Sequence, residues 1–364
     1  MADSSECLTT AILDIDLDAV VANYRSLLDR LGGVASGAVV KADGYGLGAA
    51  RIGPALATAG CREFFVAHVS EGIALRRHLP DSHIHILNGL LPGAEAAYRE
   101  HRLIPVLGSL GEIDAWRGSS LPCDIHVDTG MLRLGLPPSE LGQLADDPSR
   151  LDGLDIGLVI SHLASADEPD SPQNAEQLEA FRAARRILPQ GRACLANSSG
   201  VFLGADYHFD LARPGVALYG VAPVPGQPNP LQPVVTLKAR ILQVRDARPP
   251  ETVGYGAAHA VTTPARIATL GVGYADGYLR SLSGRAQGFI EDTPVPVVGR
   301  VSMDLITLDV TAVAEPLTRP GQWVELIGAN NPIDAVALAA GTIGYEILTN
   351  LGPRYHRTYS GGAD

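Results

Sequence analysis

Short apolar runs and amphipathic segments alternate along the first two thirds of the chain. An apolar run at residues 12–17 is followed by apolar positions at helical spacing from Val20 to Leu31, and a glycine pair ends that helix. Eight strands with intervening helices predict a parallel (β/α)₈ barrel, and the strand count favours it over a doubly wound sheet. The eight predicted strands lie at residues 37–41, 64–68, 84–88, 103–107, 124–128, 156–162, 193–197 and 211–220.

The pattern changes at residues 221–233, which carry five prolines and can continue neither a helix nor a central strand. We therefore predict a (β/α)₈ barrel over residues 1–232 and a mainly β C-terminal domain over residues 233–364. In the second domain, apolar and polar residues alternate from Val235, and the alternation shifts by one at Leu242, which predicts a β-bulge. Further strand-like runs lie at residues 266–272, 295–298, 305–310 and 323–327.

Composition and charge narrow the class of protein. A chain of 364 residues is long enough for two domains, and its formal net charge of −12 disfavours a nucleic-acid partner or an anionic membrane surface. No apolar run approaches the roughly 20 residues that span a bilayer, and the start lacks the features of a signal peptide, so we expect a cytoplasmic protein. The cysteines have no metal-ligand spacing, which predicts reduced thiols and no metal site; they are Cys7, Cys61, Cys123 and Cys194.

A single lysine, Lys41, ends the first predicted barrel strand, and a glycine-broken turn follows it. A lysine there is costly unless it is paired, neutralised or used covalently, and a neutral amine is the nucleophile that forms Schiff bases. Snorkelling from the rim of the sheet is the simpler explanation for an arbitrary strand-end lysine. However, the three glycines within residues 44–48 let the backbone pass close to a ligand, and the hydroxyl of Tyr45 can reach a phosphate. Together these features predict pyridoxal phosphate bound covalently to Lys41.

The stretch from Ala38 to Ala49 resembles the pyridoxal-phosphate attachment motif of alanine racemases, and the likeness continues over residues 12–359. The resemblance implies an amino-acid racemase that interconverts L- and D-alanine, with the D-form supplying peptidoglycan. It also implies a barrel that binds the cofactor and a β-rich domain that contributes residues to the active site of a partner subunit, in a homodimer with shared sites.

In a (β/α)₈ barrel the active site lies at the carboxyl ends of the strands. By resemblance, Arg133 in the segment DTGMLR lies next to the cofactor's phenolic oxygen and contributes to substrate binding, and His162 stacks on the pyridine ring. Ser198 matches the serine that binds the phosphate, together with Gly215 and Val216. Taken alone, each has a simpler explanation, such as a solvated arginine, a structural histidine or a helix cap.

Arg213 matches the arginine that faces the pyridine nitrogen. An arginine cannot accept a proton, so it leaves that nitrogen unprotonated and weakens the cofactor as an electron sink. A carbanion at the substrate's α-carbon is then reprotonated before transamination or decarboxylation can compete. This property suits a racemase and few other pyridoxal-phosphate enzymes.

Racemisation removes the α-proton from one face and delivers one to the other, so the site needs two acid–base groups. Lys41 is one of them. By resemblance Tyr255 is the other, assisted by His162 and Arg213, with Lys41 acting on the D-enantiomer and Tyr255 on the L-enantiomer.

The segment Gly299–Asp304 matches the one in which a methionine N–H receives the substrate carboxylate, which assigns that role to Met303. Tyr274 matches the residue that narrows the substrate entrance. Three positions depart from the family pattern: His126 replaces a frequent lysine, Ser302 a frequent cysteine, and Pro353 a tyrosine found in some members. These departures bear on substrate preference more than on the reaction.

Three alternatives remain at this stage. A racemase of broader scope, or one that prefers serine, has the same fold. Decarboxylases of basic amino acids share the two-domain plan, but the chain has no triple-glycine phosphate loop and no Cys-x-x-x-Asp segment. A cofactor-carrier protein is a lone barrel without a second domain such as the one predicted here.

Overall fold

The computed structural model describes residues 8–362 and divides into two compact units. One unit consists of residues 20–231, and the other of residues 8–19 and 232–362. The helical segments are α1 (Leu17–Leu31), α2 (Lys41–Tyr45), α3 (Ala49–Thr58), α4 (Val69–Arg76), α5 (Glu95–Glu100), α6 (Leu110–Trp116), α7 (Pro138–Asp146), α8 (Pro172–Ile187), α9 (Ile333–Ala340) and α10 (Gly344–Asn350).

The strands are β1 (Ala11–Asp16), β2 (Ala35–Ser36), β3 (Ala38–Val39), β4 (Glu63–Val66), β5 (His83–Ile86), β6 (Ile104–Leu107), β7 (Cys123–His126), β8 (Ile156–Ile160), β9 (Arg192–Cys194), β10 (Leu211–Ala212), β11 (Val235–Ala247), β12 (Thr252–Val253), β13 (His259–Ala260), β14 (Ala265–Leu270), β15 (Gln287–Ile290), β16 (Thr293–Pro296), β17 (Ile306–Asp309), β18 (Trp323–Ile327) and β19 (His356–Ser360).

The unit of residues 20–231 is a parallel barrel. Strands β3 to β9 form one sheet in chain order, and β10 pairs in parallel with β2. The Arg213 N–H donates to the carbonyl of Ala196 at 2.8 Å, and the Val39 N–H donates to that of Pro214 at 2.9 Å. These bonds tie the segment that follows β10 to both ends of the β3–β9 sheet, so the barrel closes as predicted.

The last barrel strand is shorter than the prediction of residues 211–220. Strand β10 ends at Ala212, and a 3₁₀ turn occupies Val216–Tyr219. The physical reason is Pro214, which has no N–H to donate to a ladder, followed by Gly215, whose φ of −123° and ψ of −89° lie outside the extended region.

A buried ion-pair network crosses the barrel interior near the amino ends of its strands. The His85 ring contacts Asp124 at 2.5 Å and Glu63 at 3.0 Å, and Arg192 also bonds to Glu63. Burial opposes protonation of His85, but the two carboxylates outweigh it and raise the pKa of His85 to about 9. The network therefore places a charged imidazole between carboxylates in the interior.

The second unit is mainly antiparallel. The long strand β11 pairs with β1, β14 and β18, all antiparallel. Its pairing with β14 shifts register between Ile241 and Gln243, so the predicted bulge at Leu242 is confirmed. Strand β1 lies between β11 and β19, and its pairing with β19 is parallel.

The position of β1 corrects the predicted division into residues 1–232 and 233–364 at its amino end. Residues 8–19 pack with the C-terminal unit, because β1 forms its ladders with strands that begin at Val235 and His356. The second boundary between the two units falls between Leu231 and Gln232, one residue before the predicted boundary.

Three further observations concern the described residues. None of their helices has the length and apolar character needed to cross a membrane. No cluster of three histidine, cysteine, aspartate or glutamate side chains among them can hold a metal ion. Cys61, Cys123 and Cys194 are free and buried, whereas Cys7 lies outside the described residues.

Candidate active site

Lys41 stands at the point where strand β3 becomes a left-handed turn. The strand ends at Val39, and the backbone of residues 42–46 has positive φ throughout. We expect the glycines of this stretch to adopt positive φ, and they do, but Ala42, Asp43 and Tyr45 adopt it as well. A left-handed conformation costs roughly 1–2 kcal/mol for each residue that carries a β-carbon, so the surroundings must stabilise this turn.

The amine of Lys41 is partly buried among positive charges. Burial and the guanidinium of Arg133 lower its pKa, the carboxylate of Glu71 opposes them, and Arg213 lowers it further. The amine is therefore deprotonated more readily than that of an exposed lysine, which makes it a better nucleophile and a usable base.

Arg213 is buried and held in a fixed direction by two strand ends. Its Nη1 donates to the carbonyl oxygen of Cys194 at 3.0 Å and contacts the sulfur at 2.9 Å, and its Nη2 donates to the carbonyl of Ser161 at 2.8 Å. Nη2 also lies 3.5 Å from Nδ1 of His162. Burial and the neighbouring charges of Arg213, Arg133 and Lys41 lower the pKa of His162 well below its ordinary value, so this imidazole is neutral.

The loop that carries Arg133 is closed by Asp128. One carboxylate oxygen accepts the N–H groups of Gly130 and Met131, both at 2.9 Å, and that of Leu132 at 3.2 Å. Burial opposes ionisation of Asp128, but these donors outweigh it and lower its pKa. The segment therefore forms a capped turn, and the Arg133 that follows it acts as a positive charge on Lys41 and His162.

A small cradle of hydroxyl and N–H groups lies at the ends of the last two barrel strands. The Ser198 hydroxyl oxygen accepts the N–H of Gly215 at 2.9 Å and that of Ala217 at 3.2 Å. The hydroxyl of Tyr45 occupies the space that a β-carbon at residue 215 would need, and its ring packs on that of Tyr219 with centroids 4.7 Å apart. Such a cradle suits a phosphate group.

These features fit the predicted cofactor. Lys41, Arg133 and Arg213 together act on His162 as positive charges, so a site with this surplus favours an anionic ligand. The hydroxyls of Tyr45 and Ser198 supply neutral donors for a phosphate. Val216, also predicted to bind the phosphate through its backbone, begins the 3₁₀ turn next to Gly215.

The predicted residues of the C-terminal domain gather around the segment of residues 299–303. The N–H groups of Tyr274 and Ala275 donate to the carbonyls of Ser302 and Met303, both at 3.0 Å. The Tyr255 turn approaches the same segment, because a β-carbon at Gly256 would lie 3.1 Å from the Arg300 guanidinium. The side chains of Tyr255, Tyr274 and Met303 are 72%, 42% and 53% exposed, which leaves all three available to a ligand or another chain.

Sequence reasoning missed residues that hold the site from outside. Buried Gln177 on α8 donates to the carbonyl of His162 at 2.9 Å and to the Thr129 hydroxyl at 3.1 Å, and it accepts the Ala164 N–H at 2.8 Å. It thereby links the strand end that carries His162 to the turn that precedes Arg133. No motif marks such a residue, since its partners lie on different loops.

His126, which stands where many family members have a lysine, lies in the interior of the barrel unit. The imidazole is buried near Arg213 and Arg133, and burial together with these charges lowers its pKa to about 4. His126 is therefore neutral around pH 7, and it adds no positive charge next to Arg133.

The chain matches two family models that cover almost its whole length. Residues 15–223 match the alanine racemase N-terminal domain, and residues 234–359 match the alanine racemase C-terminal domain.

Individual relatives and a solved structure are also alanine racemases. The alanine racemase of Rhodospirillum rubrum is 51% identical over 360 residues, which are 97% of this chain and 96% of the relative. The catabolic alanine racemase of Mesorhizobium japonicum is 50% identical over 367 residues, 98% of this chain and 95% of the relative. The crystal structure of alanine racemase from Bartonella henselae with covalently bound pyridoxal phosphate superimposes with a TM-score of 0.93 at 42% identity, covering 97% of this chain and all of that one.

Proposed function

This chain belongs to the alanine racemase family, and from that premise we propose that it interconverts L- and D-alanine by a two-base reaction. It is a pyridoxal-phosphate-dependent amino-acid racemase, an isomerase. The observation that carries the residue assignments is the amine of Lys41, which has a lowered pKa and stands at a strand end in the surroundings of Arg133 and Arg213.

When bound, pyridoxal phosphate withdraws electrons from the substrate's α-carbon and so weakens its bond to hydrogen. The chain's residues have the remaining tasks. We assign phosphate binding to Tyr45, Ser198, Gly215 and Val216, and covalent attachment to Lys41. The Ser198 hydroxyl bonds to the Gly215 N–H and the Tyr45 hydroxyl lies beside the same glycine, which supports a common role for these groups at one phosphate.

Arg213, like any arginine, donates hydrogen bonds and has no atom that accepts a proton. Its contacts with Cys194 and Ser161 prevent rotation of the guanidinium. Neutral His162 is then oriented by Arg213. Both groups therefore support the assignment in which the pyridine nitrogen stays unprotonated.

Lys41 and Tyr255 are the two acid–base groups of the proposal. Each holds or moves a proton at the substrate's α-carbon, Lys41 through Nζ and Tyr255 through its hydroxyl oxygen. Met303 receives the substrate carboxylate through its N–H, Tyr274 narrows the entrance, and Arg133 contributes to substrate binding. The backbone bonds that join the Tyr274 and Met303 segments support a common site for these residues.

We propose that the second group of residues serves the barrel of a partner subunit in a homodimer. Tyr255, Tyr274 and Met303 project from the C-terminal unit with large exposed areas, as residues that complete another chain's site would do. The proposed physiological role is the supply of D-alanine for peptidoglycan in the cytoplasm. One relative is named as catabolic, so a degradative role is the second candidate.

The alternatives raised by the sequence are less well supported. The family models and relatives name alanine as the substrate, which favours it over serine or a broad substrate range. Membership of a two-domain racemase family also removes the grounds for a carrier protein or a decarboxylase.

The test follows the α-proton in D₂O with L-alanine, L-serine and L-lysine, by NMR and chiral chromatography. The proposal expects deuterium incorporation with inversion, fastest for alanine. It also expects a Lys41→Ala variant to lose covalently bound cofactor and inversion together. Exchange that is fastest with serine, or cofactor bound covalently to the Lys41→Ala variant, would overturn the assignment.

A further inference from the structure

Glu71 links the turn after Lys41 to the start of the neighbouring helix. One carboxylate oxygen accepts the Ala42 N–H at 2.5 Å. The other accepts the N–H groups of Ala67 and His68 at 2.8 and 2.9 Å, at the amino end of α4. Glu71 itself belongs to the first turn of α4, so a helix of the barrel holds the peptide that directly follows Lys41.

The bond to Ala42 acts where the backbone most needs it. Ala42 is the first residue of the left-handed stretch, with φ of 53° and ψ of 46°, and its conformation determines the direction in which the chain leaves Lys41. A hydrogen bond from an N–H to a carboxylate is stronger than one between neutral groups. Glu71 therefore opposes relaxation of this turn to the right-handed conformation, which L-residues prefer.

We propose that Glu71 is a positioning residue for Lys41: it fixes the left-handed turn through the Ala42 N–H and supplies a negative charge beside the amine. The relevance of this inference to catalysis rests on the proposed function, in which Lys41 carries the cofactor and serves as a base. The claim that Glu71 fixes the turn and places a negative charge beside the amine does not depend on that function.

The charge matters because the other ionised neighbours of the Lys41 amine are cationic. Arg133 from the loop after β7 and Arg213 from the segment after β10 both disfavour its protonated form, whereas Glu71 favours it. His162 from the end of β8 is neutral. Glu71 is the one anionic group among the described residues that act on the amine. Without it the pKa of Lys41 would be lower still.

The barrel contains a second glutamate of the same design, which provides a matched control. Glu112 lies in the first turn of α6, and its carboxylate accepts the N–H groups of Gly108 at 2.5 Å and Leu90 at 3.2 Å. It too joins its own strand–helix loop to the preceding one. It does not act on Lys41, however, so a Glu112→Gln variant reproduces the loss of a bridging carboxylate without touching the turn.

The first experiment measures amide hydrogen exchange in the cofactor-loaded full chain. In Glu71→Gln the side chain loses its charge and one acceptor oxygen, and we expect the Ala42 N–H to exchange at least about tenfold faster. The Glu112→Gln variant is expected to leave exchange at Ala42 within about twofold of the parent. Equal exchange at Ala42 in the parent and in Glu71→Gln would overturn the positioning role.

The second experiment measures the rate at which an amine-reactive reagent modifies Lys41 as a function of pH, in the full chain freed of cofactor. The half-point of this profile should shift to lower pH in Glu71→Gln and stay in place in Glu112→Gln. Glu71→Asp keeps the charge but shortens the side chain by one methylene, so it should keep the half-point while Ala42 exchange accelerates. A half-point that Glu71→Gln leaves unchanged would overturn the role of the charge.

Both measurements are independent of turnover. If Lys41 is not the attachment residue, a Lys41→Ala variant keeps its cofactor. The Ala42 exchange rate and the modification rate of Lys41 still respond to the Glu71 substitutions in chains that keep Lys41, so only the proposed function fails. If Glu71→Gln does not fold, Glu71→Asp decides the question, because parent-like exchange at Ala42 in that variant would contradict the geometric role.

Discussion

The Tyr45 hydroxyl fills the space in which a side chain at Gly215 would begin. The tyrosine reaches this position through the left-handed turn after Lys41, and the glycine through the irregular backbone that follows Pro214. Two segments far apart in the sequence are therefore fitted to each other at the cradle proposed to bind phosphate. Neither can change shape without moving the other.

A methyl group at Gly215 should therefore weaken cofactor binding. In Gly215→Ala the new β-carbon would collide with the Tyr45 hydroxyl, so we expect the dissociation constant for pyridoxal phosphate to rise at least about tenfold, as a displaced charge-assisted hydrogen bond would produce. The measurement is an absorbance titration of the cofactor-free chain. Gly142→Ala is the control, since that helical glycine has open space around it and alanine favours a helix.

A second variant tests the cause of this effect. Adding Tyr45→Phe to Gly215→Ala removes the hydroxyl that collides. The double variant should therefore recover part of the free energy of unfolding that the collision costs Gly215→Ala. If the single variant binds the cofactor as tightly as the parent, the contact does not shape the cradle.

The buried network around His85 should make the barrel less stable in alkaline solution. The pKa of His85 is raised from its ordinary 6.5 to about 9, so its stabilising contribution is complete below pH 6.5 and is lost as pH rises toward 9. We expect the urea midpoint of unfolding to fall over this interval. The variant His85→Leu should lose this dependence and be less stable at pH 6 by about 3–5 kcal/mol, because Glu63 and Asp124 would keep no buried cation between them.

The control for that prediction is His83→Gln. His83 also contacts Glu63, at 2.9 Å, but its side chain is largely exposed, so its removal should cost less than about 1 kcal/mol and leave the alkaline slope intact. If the urea midpoint of His85→Leu still falls as pH rises from 6.5 to 9, another group causes the loss of stability.

His126 should have the opposite effect on the acid side. Its pKa is lowered to about 4, so the unfolded chain binds a proton between pH 6.5 and 4 while the folded chain does not. The free energy of unfolding should therefore decrease as pH falls through this interval, and less steeply in His126→Gln. His162, whose pKa is also lowered, contributes with the same sign, so the variant removes only part of the slope. The exposed His78→Gln is expected to leave the slope unchanged.

Removal of the Tyr255 hydroxyl should separate cofactor binding from turnover. We expect Tyr255→Phe to keep the cofactor's absorbance and to lose about 10²- to 10⁴-fold in turnover, the usual contribution of a positioned acid–base group. Tyr207→Phe, a partly exposed tyrosine on the barrel unit, should keep both. Parent-like turnover in Tyr255→Phe would contradict the two-base assignment.

The sequence predicted the barrel, and it pointed to a candidate site at the strand ends, because the relevant signals are local. A strand is recognised from a short apolar run, and Lys41, His162 and Ser198 follow directly from the ends of such runs. The bulge at Leu242 was visible in the alternation itself. In each of these cases neighbouring residues determine the structure.

Other features depend on partners that are remote in the sequence. Residues 12–17 were recognised as an apolar run, but the run could not show that this segment pairs with β11 and β19. Glycine positions predicted a turn after Lys41, yet nothing local explains positive φ at Ala42, where a carboxylate from α4 supplies the missing stabilisation. The spacing of His68 and Glu71 was the available signal, since a glutamate three residues after a helix cap often bonds back to the cap.

The place of β1 between β11 and β19 imposes an order of events on the nascent chain. Strand β1 is synthesised before the barrel, but its two neighbours start at Val235 and His356. Each strand from β4 to β9, in contrast, pairs with the strand synthesised just before it. The barrel can therefore assemble during translation, whereas β1 has no partner in its sheet until β11 has been made, and its second partner, β19, is made later still.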